Sequence, residues 1–124
     1  MTRRELFKQL NLLCYNMSFE YNINNGGCCY VAAVIAEQLE RFNIPYKVSI
    51  AYDPCHYAIK VADRYINRDG FDFKHDGEFY DWGSHELYTE YACESWNERY
   101  NRKWNLIVKT RITALFNKYE NSRT

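Results

Sequence analysis

The amino-acid sequence predicts an α+β domain, because helical and strand-like patterns of apolar residues occupy different parts of the chain. Apolar residues recur every three or four positions near both ends and again after residue 28, as in helices with one buried face. Between residues 46 and 69 they alternate instead, which is typical of strands. We therefore expect residues 1–124 to form a single domain, with a central helix on a small antiparallel sheet and helices at both termini.

The first helix is predicted from about residue 3 to about residue 17. Thr2 and Glu5 form a capping box, in which a side-chain oxygen and a carboxylate satisfy the first free N–H groups of a helix. An apolar stripe follows the box, and Cys14 lies next to that stripe as a small buried residue. The stripe consists of Leu6, Leu10, Leu13 and Met17.

The second helix is predicted from Cys28 to about Phe42, after an Asn-rich loop over residues 18–27. Its buried stripe contains Val31, Ile35, Leu39 and Phe42. The segment Asn43-Ile44-Pro45 ends the helix, because the residue before a proline avoids the helical conformation and asparagine tolerates a left-handed C-terminal cap.

Three strands are predicted next, over residues 46–52, 56–61 and 64–69, with Ala62-Asp63 as a tight turn between the last two. If Val61 pairs with Arg64, then Asn67 lies opposite Ala58 and Asp69 lies opposite His56. Residues directly opposite in an antiparallel pair share a face of the sheet. A shift of one residue would reverse this arrangement.

The rest of the chain begins with a Gly- and Asp-rich loop over residues 70–83, in which a short strand is predicted around Glu78 to Trp82. The aromatic residues of this loop predict either a pocket wall or a cover over the sheet. Ser84 is a good N-cap for a helix through Trp96. A last helix, from about Trp104 to Tyr119, is predicted to bury Val108, Ile112, Leu115 and Phe116.

Composition and charge exclude several classes of partner. Sixteen basic and sixteen acidic residues cancel, so no strong field attracts nucleic acid or an anionic membrane. The sequence has no apolar run near the length of a membrane span, and its first residues lack the apolar core of a signal peptide. We therefore expect a cytoplasmic protein. Its five cysteines are then expected to be free, catalytic or metal-binding rather than a disulfide framework.

Three residues in chain order suggest thiol chemistry. Cys28 follows two glycines and opens a helix, where free N–H groups and the helix dipole favour the thiolate. His56 opens a strand, and an amide or a carboxylate, Asn67 or Asp69, lies on the next strand. In a thiol enzyme the cysteine is the nucleophile, the histidine transfers the proton, and the third residue orients the imidazole.

This order resembles the papain-like cysteine peptidase superfamily, and most closely its transglutaminase-like branch. The resemblance covers about two fifths of the chain, from Asn24 to Phe71. It is carried by Gly26-Gly27-Cys28 with Ala32, by Asn43-Ile44-Pro45, by Lys47-Val48-Ser49-Ile50-Ala51-Tyr52, by His56-Tyr57-Ala58-Ile59-Lys60-Val61, and by Arg64-Tyr65-Ile66-Asn67-Arg68-Asp69. The chain departs from the family pattern at Ala58, where a bulky aromatic residue is usual.

The resemblance implies a papain-like core and an acyl-transfer enzyme such as a peptidase, deamidase or transglutaminase, acting on a peptide, protein or small amide without a cofactor. It assigns Cys28 as the nucleophile and leaves Cys29 a packing role. Asn67 would complete the papain form of the triad and Asp69 the transglutaminase form, with a slight preference for Asn67. The oxyanion is expected to be held by the backbone N–H of Cys28 and by a side chain from Asn22, Asn24 or Asn25.

Two other interpretations compete with the enzyme. A zinc site would use Cys28, Cys29, Cys55 and His56, although adjacent cysteines chelate less well than a pair with two residues between them. The second interpretation is a papain-like binding or inhibitory module without activity, because a fold does not fix a function. His75 and His85 lie in polar surroundings and are expected on the solvated surface.

Overall fold

The structure is a computed structural model that describes residues 1–21, 28–51, 56–62, 64–66, 79–82 and 102–123. It is α+β, as the sequence predicts. Within the described residues the helices are α1 (Arg3–Tyr21), α2 (Cys28–Arg41) and α3 (Arg102–Asn121). The strands are β1 (Lys47–Ala51), β2 (His56–Val61), β3 (Arg64–Ile66) and β4 (Phe79–Trp82). The helix predicted from Ser84 through Trp96 lies outside the described residues.

Helix α1 begins as predicted and ends later than predicted. The backbone N–H of Glu5 donates to the Oγ1 of Thr2 at 3.2 Å, which confirms Thr2 as the N-cap. The helix continues past Met17 because Ser18 donates its hydroxyl to the backbone carbonyl of Tyr15 at 2.6 Å, which satisfies this polar side chain inside the helix.

The core-facing stripe of α1 also differs from the prediction by one position. Leu6, Leu10 and Met17 are fully buried, and Cys14 is buried beside them, as predicted for all four residues. Leu13 is only partly buried and packs at the edge of the core. Cys14 follows Leu10 by four residues and so continues the same helical face.

Helix α2 ends in a Schellman motif centred on Asn43. The φ of Asn43 is 55°, the left-handed conformation that the sequence predicts for it. The N–H of Ile44 donates to the carbonyl of Leu39 at 2.9 Å, and the N–H of Asn43 donates to the carbonyl of Glu40 at 3.0 Å. Leu39 and Ile44 are both buried in the core, which adds the apolar contact that accompanies this cap.

The described strands form one antiparallel sheet in the order β3-β2-β1-β4. In the β1–β2 pair Val48 lies opposite Ile59, and in the β2–β3 pair Ile59 lies opposite Ile66. These three residues are buried in the core together with residues of α1, α2 and α3. Helix α2 packs against β2 and α1 packs against β3, and α3 packs against both of these helices.

Helix α3 contributes a buried stripe to this core. Val108, Ile112 and Phe116 are fully buried, as predicted, and Tyr119 is buried one turn later. Leu115 is only partly buried, contrary to the prediction, because it lies beside the core stripe and borders a groove between α1 and α3. The ring of Phe116 stacks on that of Phe42 with centroids 6.0 Å apart, so α3 is held to the end of α2.

The β2–β3 turn contains a strained alanine, which gives a stability prediction. Ala62 has a φ of 55°, a conformation that glycine adopts without the clash of a Cβ. We expect Ala62→Gly to raise the free energy of unfolding by about 0.5–1 kcal/mol in urea denaturation. Ala114→Gly, on an exposed position inside α3, is the matched control and should instead cost about 1 kcal/mol. A loss of stability in Ala62→Gly would contradict this view of the turn.

Candidate active site

The end of the sheet at which β1 finishes is also where α2 begins. Residues 42–46 form a short link that reverses the chain between α2 and β1, and β2 runs antiparallel to β1 with Ala51 opposite His56. The first residue of α2 and the first residue of β2 therefore lie at the same end of the helix–sheet pair. These residues are Cys28 and His56, the proposed nucleophile and base. Cys28 is buried, with 3% of its surface exposed.

The two positions belong to different sides of the sheet. Ile59 is in the core with α2, whereas Ala58 is on the opposite face because successive residues of a strand alternate. The position of His56, two residues before Ala58, belongs to that opposite face as well. A contact between Cys28 and His56 therefore requires that the two meet around the end of the sheet, and not across its helix-covered face.

The prediction of a third triad residue depends on the register in which β2 pairs with β3, and the described pairing has the predicted register. Val61 lies opposite Arg64, and Lys60 lies opposite Tyr65. The sequence prediction for Asn67 and Asp69 assumes this register. Both residues lie outside the described part of the chain, as do the following residues that the sequence singles out: Asn22, Asn24, Asn25, Cys55, His75 and His85.

Ser49 is a feature of this region that the sequence does not reveal. It lies opposite Ala58 on β2, and Ser49 and Ala58 are 1% and 0% exposed. Within the described residues the Oγ of Ser49 has no hydrogen-bond partner, a state that costs a buried hydroxyl about 1–3 kcal/mol. The register makes Ser49 a diagonal neighbour of His56 on the same face of the sheet. The only signal in the sequence is a polar residue between Val48 and Ile50.

Cys14 and Cys28 are both buried but occupy different environments. Cys14 lies inside the core between helices, and burial raises the pKa of its thiol to about 12. Cys28 is the first residue of α2, whose first turn contains no acidic residue. The positive end of the helix dipole is therefore not offset by a carboxylate of its own turn at Cys28.

The position of Cys14 predicts a protected thiol. A pKa of about 12 leaves on the order of one thiol in ten thousand ionised at pH 8, so native Cys14 should not react measurably with iodoacetamide over hours. Peptide mass mapping after labelling checks this, with the protein in concentrated urea as the control in which Cys14 reacts as an ordinary thiol. Equal labelling in the native and the denatured protein would show that the thiol is accessible.

Metal ligation and membrane insertion have no structural basis in the described part of the chain. No group of three His, Cys, Asp or Glu residues there is arranged to hold a metal ion. The zinc alternative also needs Cys55, which lies outside the described residues, and so it stays a prediction. None of the described helices contains an apolar stretch long enough to cross a bilayer.

Comparison with known proteins finds no relative of this chain. No protein-family model, curated protein or solved structure matches the chain.

Proposed function

We propose that this protein is a thiol-dependent acyl-transfer enzyme with Cys28 as its nucleophile and His56 as its general base, on a papain-like or transglutaminase-like core. The supporting observation is that Cys28 is the first residue of α2 and His56 the first residue of β2, at the same end of the helix–sheet pair. A nucleophile and its base must be neighbours in space, and both of these residues lie at this end of the helix–sheet pair.

The electrostatics of the helix start support a reactive thiol. Helix α2 is 14 residues long, with no acidic residue in its first turn and Arg41 in its last turn. The N-terminal end of such a helix stabilises a nearby anion by about 0.3–1 kcal/mol at an exposed site and by more in a buried one. Cys28 is nearly inaccessible to water, so the same dipole is screened less there, but burial also disfavours a thiolate and a charged partner such as His56 is needed to offset that cost.

The proposed reaction proceeds through a thioester. His56 removes the proton of Cys28, and the thiolate attacks an amide or ester carbonyl to form a tetrahedral intermediate whose oxyanion accepts a hydrogen bond from the backbone N–H of Cys28. The intermediate collapses with cleavage of the C–N or C–O bond, and His56 protonates the leaving amine or alcohol. Water or an amine then attacks the thioester carbonyl, which breaks the C–S bond, regenerates the thiol of Cys28 and releases the acid or the new amide.

The third residue of the site is proposed on the strength of the β2–β3 register. Val61 lies opposite Arg64. If the same pairing continued beyond Ile66, Asn67 would lie opposite Ala58 and Asp69 would lie opposite His56. Either side chain would fix the tautomer and orientation of the imidazole. The substrates that fit this chemistry are peptides, proteins and small amides.

The proposal is tested by trapping the acyl-enzyme. Incubation with 4-nitrophenyl acetate should release a burst of about one 4-nitrophenolate per chain and leave one acetyl group on the thiol of Cys28, located by fragmentation of the labelled peptide. The variant His56→Gln, which keeps a polar side chain of similar size, should lose the burst. Absence of a burst in the unmodified protein, or acetylation of Cys29 in preference to Cys28, would contradict the proposal and favour a non-catalytic module.

A further inference from the structure

A basic groove lies between the first turns of α1 and strand β3. Its volume is about 230 Å³. Three cationic side chains line it: Arg4 and Lys8 from α1 and Arg64 from β3. Its apolar lining consists of Phe7, Val61 and Ile66. The walls are joined directly, because the side-chain amide of Asn11 donates to the backbone carbonyl of Tyr65 at 3.4 Å.

The three cations are not neutralised within the described structure. The side chains of Arg4, Lys8 and Arg64 make no hydrogen bond or ion pair there, whereas the side chain of Arg41 pairs with that of Glu120 elsewhere on the surface. Arg4 and Lys8 are four residues apart on a helix, an arrangement that destabilises the helix by about 0.2–0.5 kcal/mol when the charges are alike. The chain has equal numbers of basic and acidic residues, so this concentration of positive charge is local and does not follow from the composition.

We propose that this basic groove binds a small phosphate-bearing anion, either a phosphate monoester or a diphosphate. Two of the three cations are guanidinium groups, whose planar donors match the oxygens of a phosphate in pairs. A single carboxylate would neutralise only one of the three charges, whereas a diphosphate neutralises most of them. The volume is below the range of about 300–1,000 Å³ that is usual for drug-sized ligands, which restricts the ligand to a small one.

The test is calorimetric titration of the full chain with pyrophosphate, with inorganic phosphate and with acetate at constant ionic strength. We expect one pyrophosphate per chain, weaker binding of phosphate and no measurable binding of acetate. The variants Arg64→Gln and Lys8→Gln should each weaken pyrophosphate binding roughly tenfold or more, the effect of one lost charge-assisted hydrogen bond. Arg3→Gln is the matched control, since it removes the same charge from the start of α1 outside the groove, and it should change the affinity by less than about twofold.

Two further measurements keep the outcome unambiguous. Arg64 is exposed, so the free energy of unfolding of Arg64→Gln without ligand should equal or exceed that of the parent, and a large loss would mean that Arg64 has a structural role instead. Binding to vesicles that contain phosphatidic acid, without binding to pyrophosphate, would assign the groove to a lipid surface and contradict a small ligand. No saturable binding of pyrophosphate below about 10 mM, or equal weakening by all three variants, would also overturn the proposal.

Discussion

Cys28→Ser should lower the rate of acyl transfer roughly ten-thousandfold, the scale on which loss of a nucleophile acts in enzymes of this type. A serine hydroxyl at the start of α2 ionises far less readily than a thiol. A helix dipole and a neighbouring imidazole can favour a thiolate at neutral pH, but they cannot ionise an alcohol to a comparable extent. Release of 4-nitrophenolate under single-turnover conditions measures the change, and circular dichroism shows whether the variant is folded.

The matched control for this variant is Cys29→Ser. It makes the same chemical change at the adjacent position of the chain, to which we assign a packing role. Its single-turnover rate should stay within about threefold of the parent, because the nucleophile and its base are retained. Loss of activity in Cys29→Ser with retention in Cys28→Ser would reverse the assignment of the two cysteines.

Phe116→Ala should destabilise the fold by about 3–5 kcal/mol, which is the largest stability effect that we expect from a single core substitution. The side chain is fully buried in the core, and its ring stacks on Phe42 at the end of α2. Truncation therefore leaves a cavity between α3 and α2 as well as removing apolar surface. Because the total stability of a domain is about 5–15 kcal/mol, the variant should be partly unfolded at moderate urea concentrations.

A second apolar residue of α3 is the control for this prediction. Leu106 is 66% exposed, and Leu106→Ala should change the free energy of unfolding by no more than about 0.5 kcal/mol. Urea denaturation followed by circular dichroism gives both values. Similar small effects for Phe116→Ala and Leu106→Ala would show that α3 does not pack on the core.

Local sequence signals predict the elements whose bounds depend on nearby residues. Asn43 before Ile44-Pro45 predicts the left-handed cap of α2, which the structure has. The alternation over residues 56–61 predicts β2 with the same bounds, and the tight turn at Ala62 fixes the pairing of Val61 with Arg64. In each case a residue and its effect are separated by only a few positions along the chain.

Features that depend on distant parts of the chain are not predictable in this way. The sequence does not indicate that β4 pairs with β1, because that contact joins strands that are not consecutive. Burial of Ser49 also requires that the second face of the sheet be covered at its centre, which alternation within one strand does not reveal. Arg4 and Lys8 meet Arg64 only through the packing of α1 beside β3.

The same distinction between local signals and distant contacts applies to the candidate site. The proposed nucleophile and base are chosen by residue type and by their place at the starts of α2 and β2. Their relative positions depend on how the end of the sheet meets the start of α2. That the position of His56 belongs to the face away from α2 follows from the tertiary packing of the helix on the sheet. The places of Cys28 at the start of α2 and of His56 at the start of β2 could therefore be predicted from the sequence, whereas their relation across the sheet could not.

The rate of alkylation of Cys28 by iodoacetamide between pH 5 and pH 9 tests the activated thiol most directly. Peptide mass mapping separates Cys28 from the other cysteines, and buried Cys14 serves as the internal standard for an inert thiol. Our account predicts fast alkylation of Cys28 well below pH 7 and a shift of the profile toward the ordinary thiol pKa of about 8.5 in His56→Gln. A Cys28 that reacts no faster than a model thiol, with the same profile in both proteins, would contradict it.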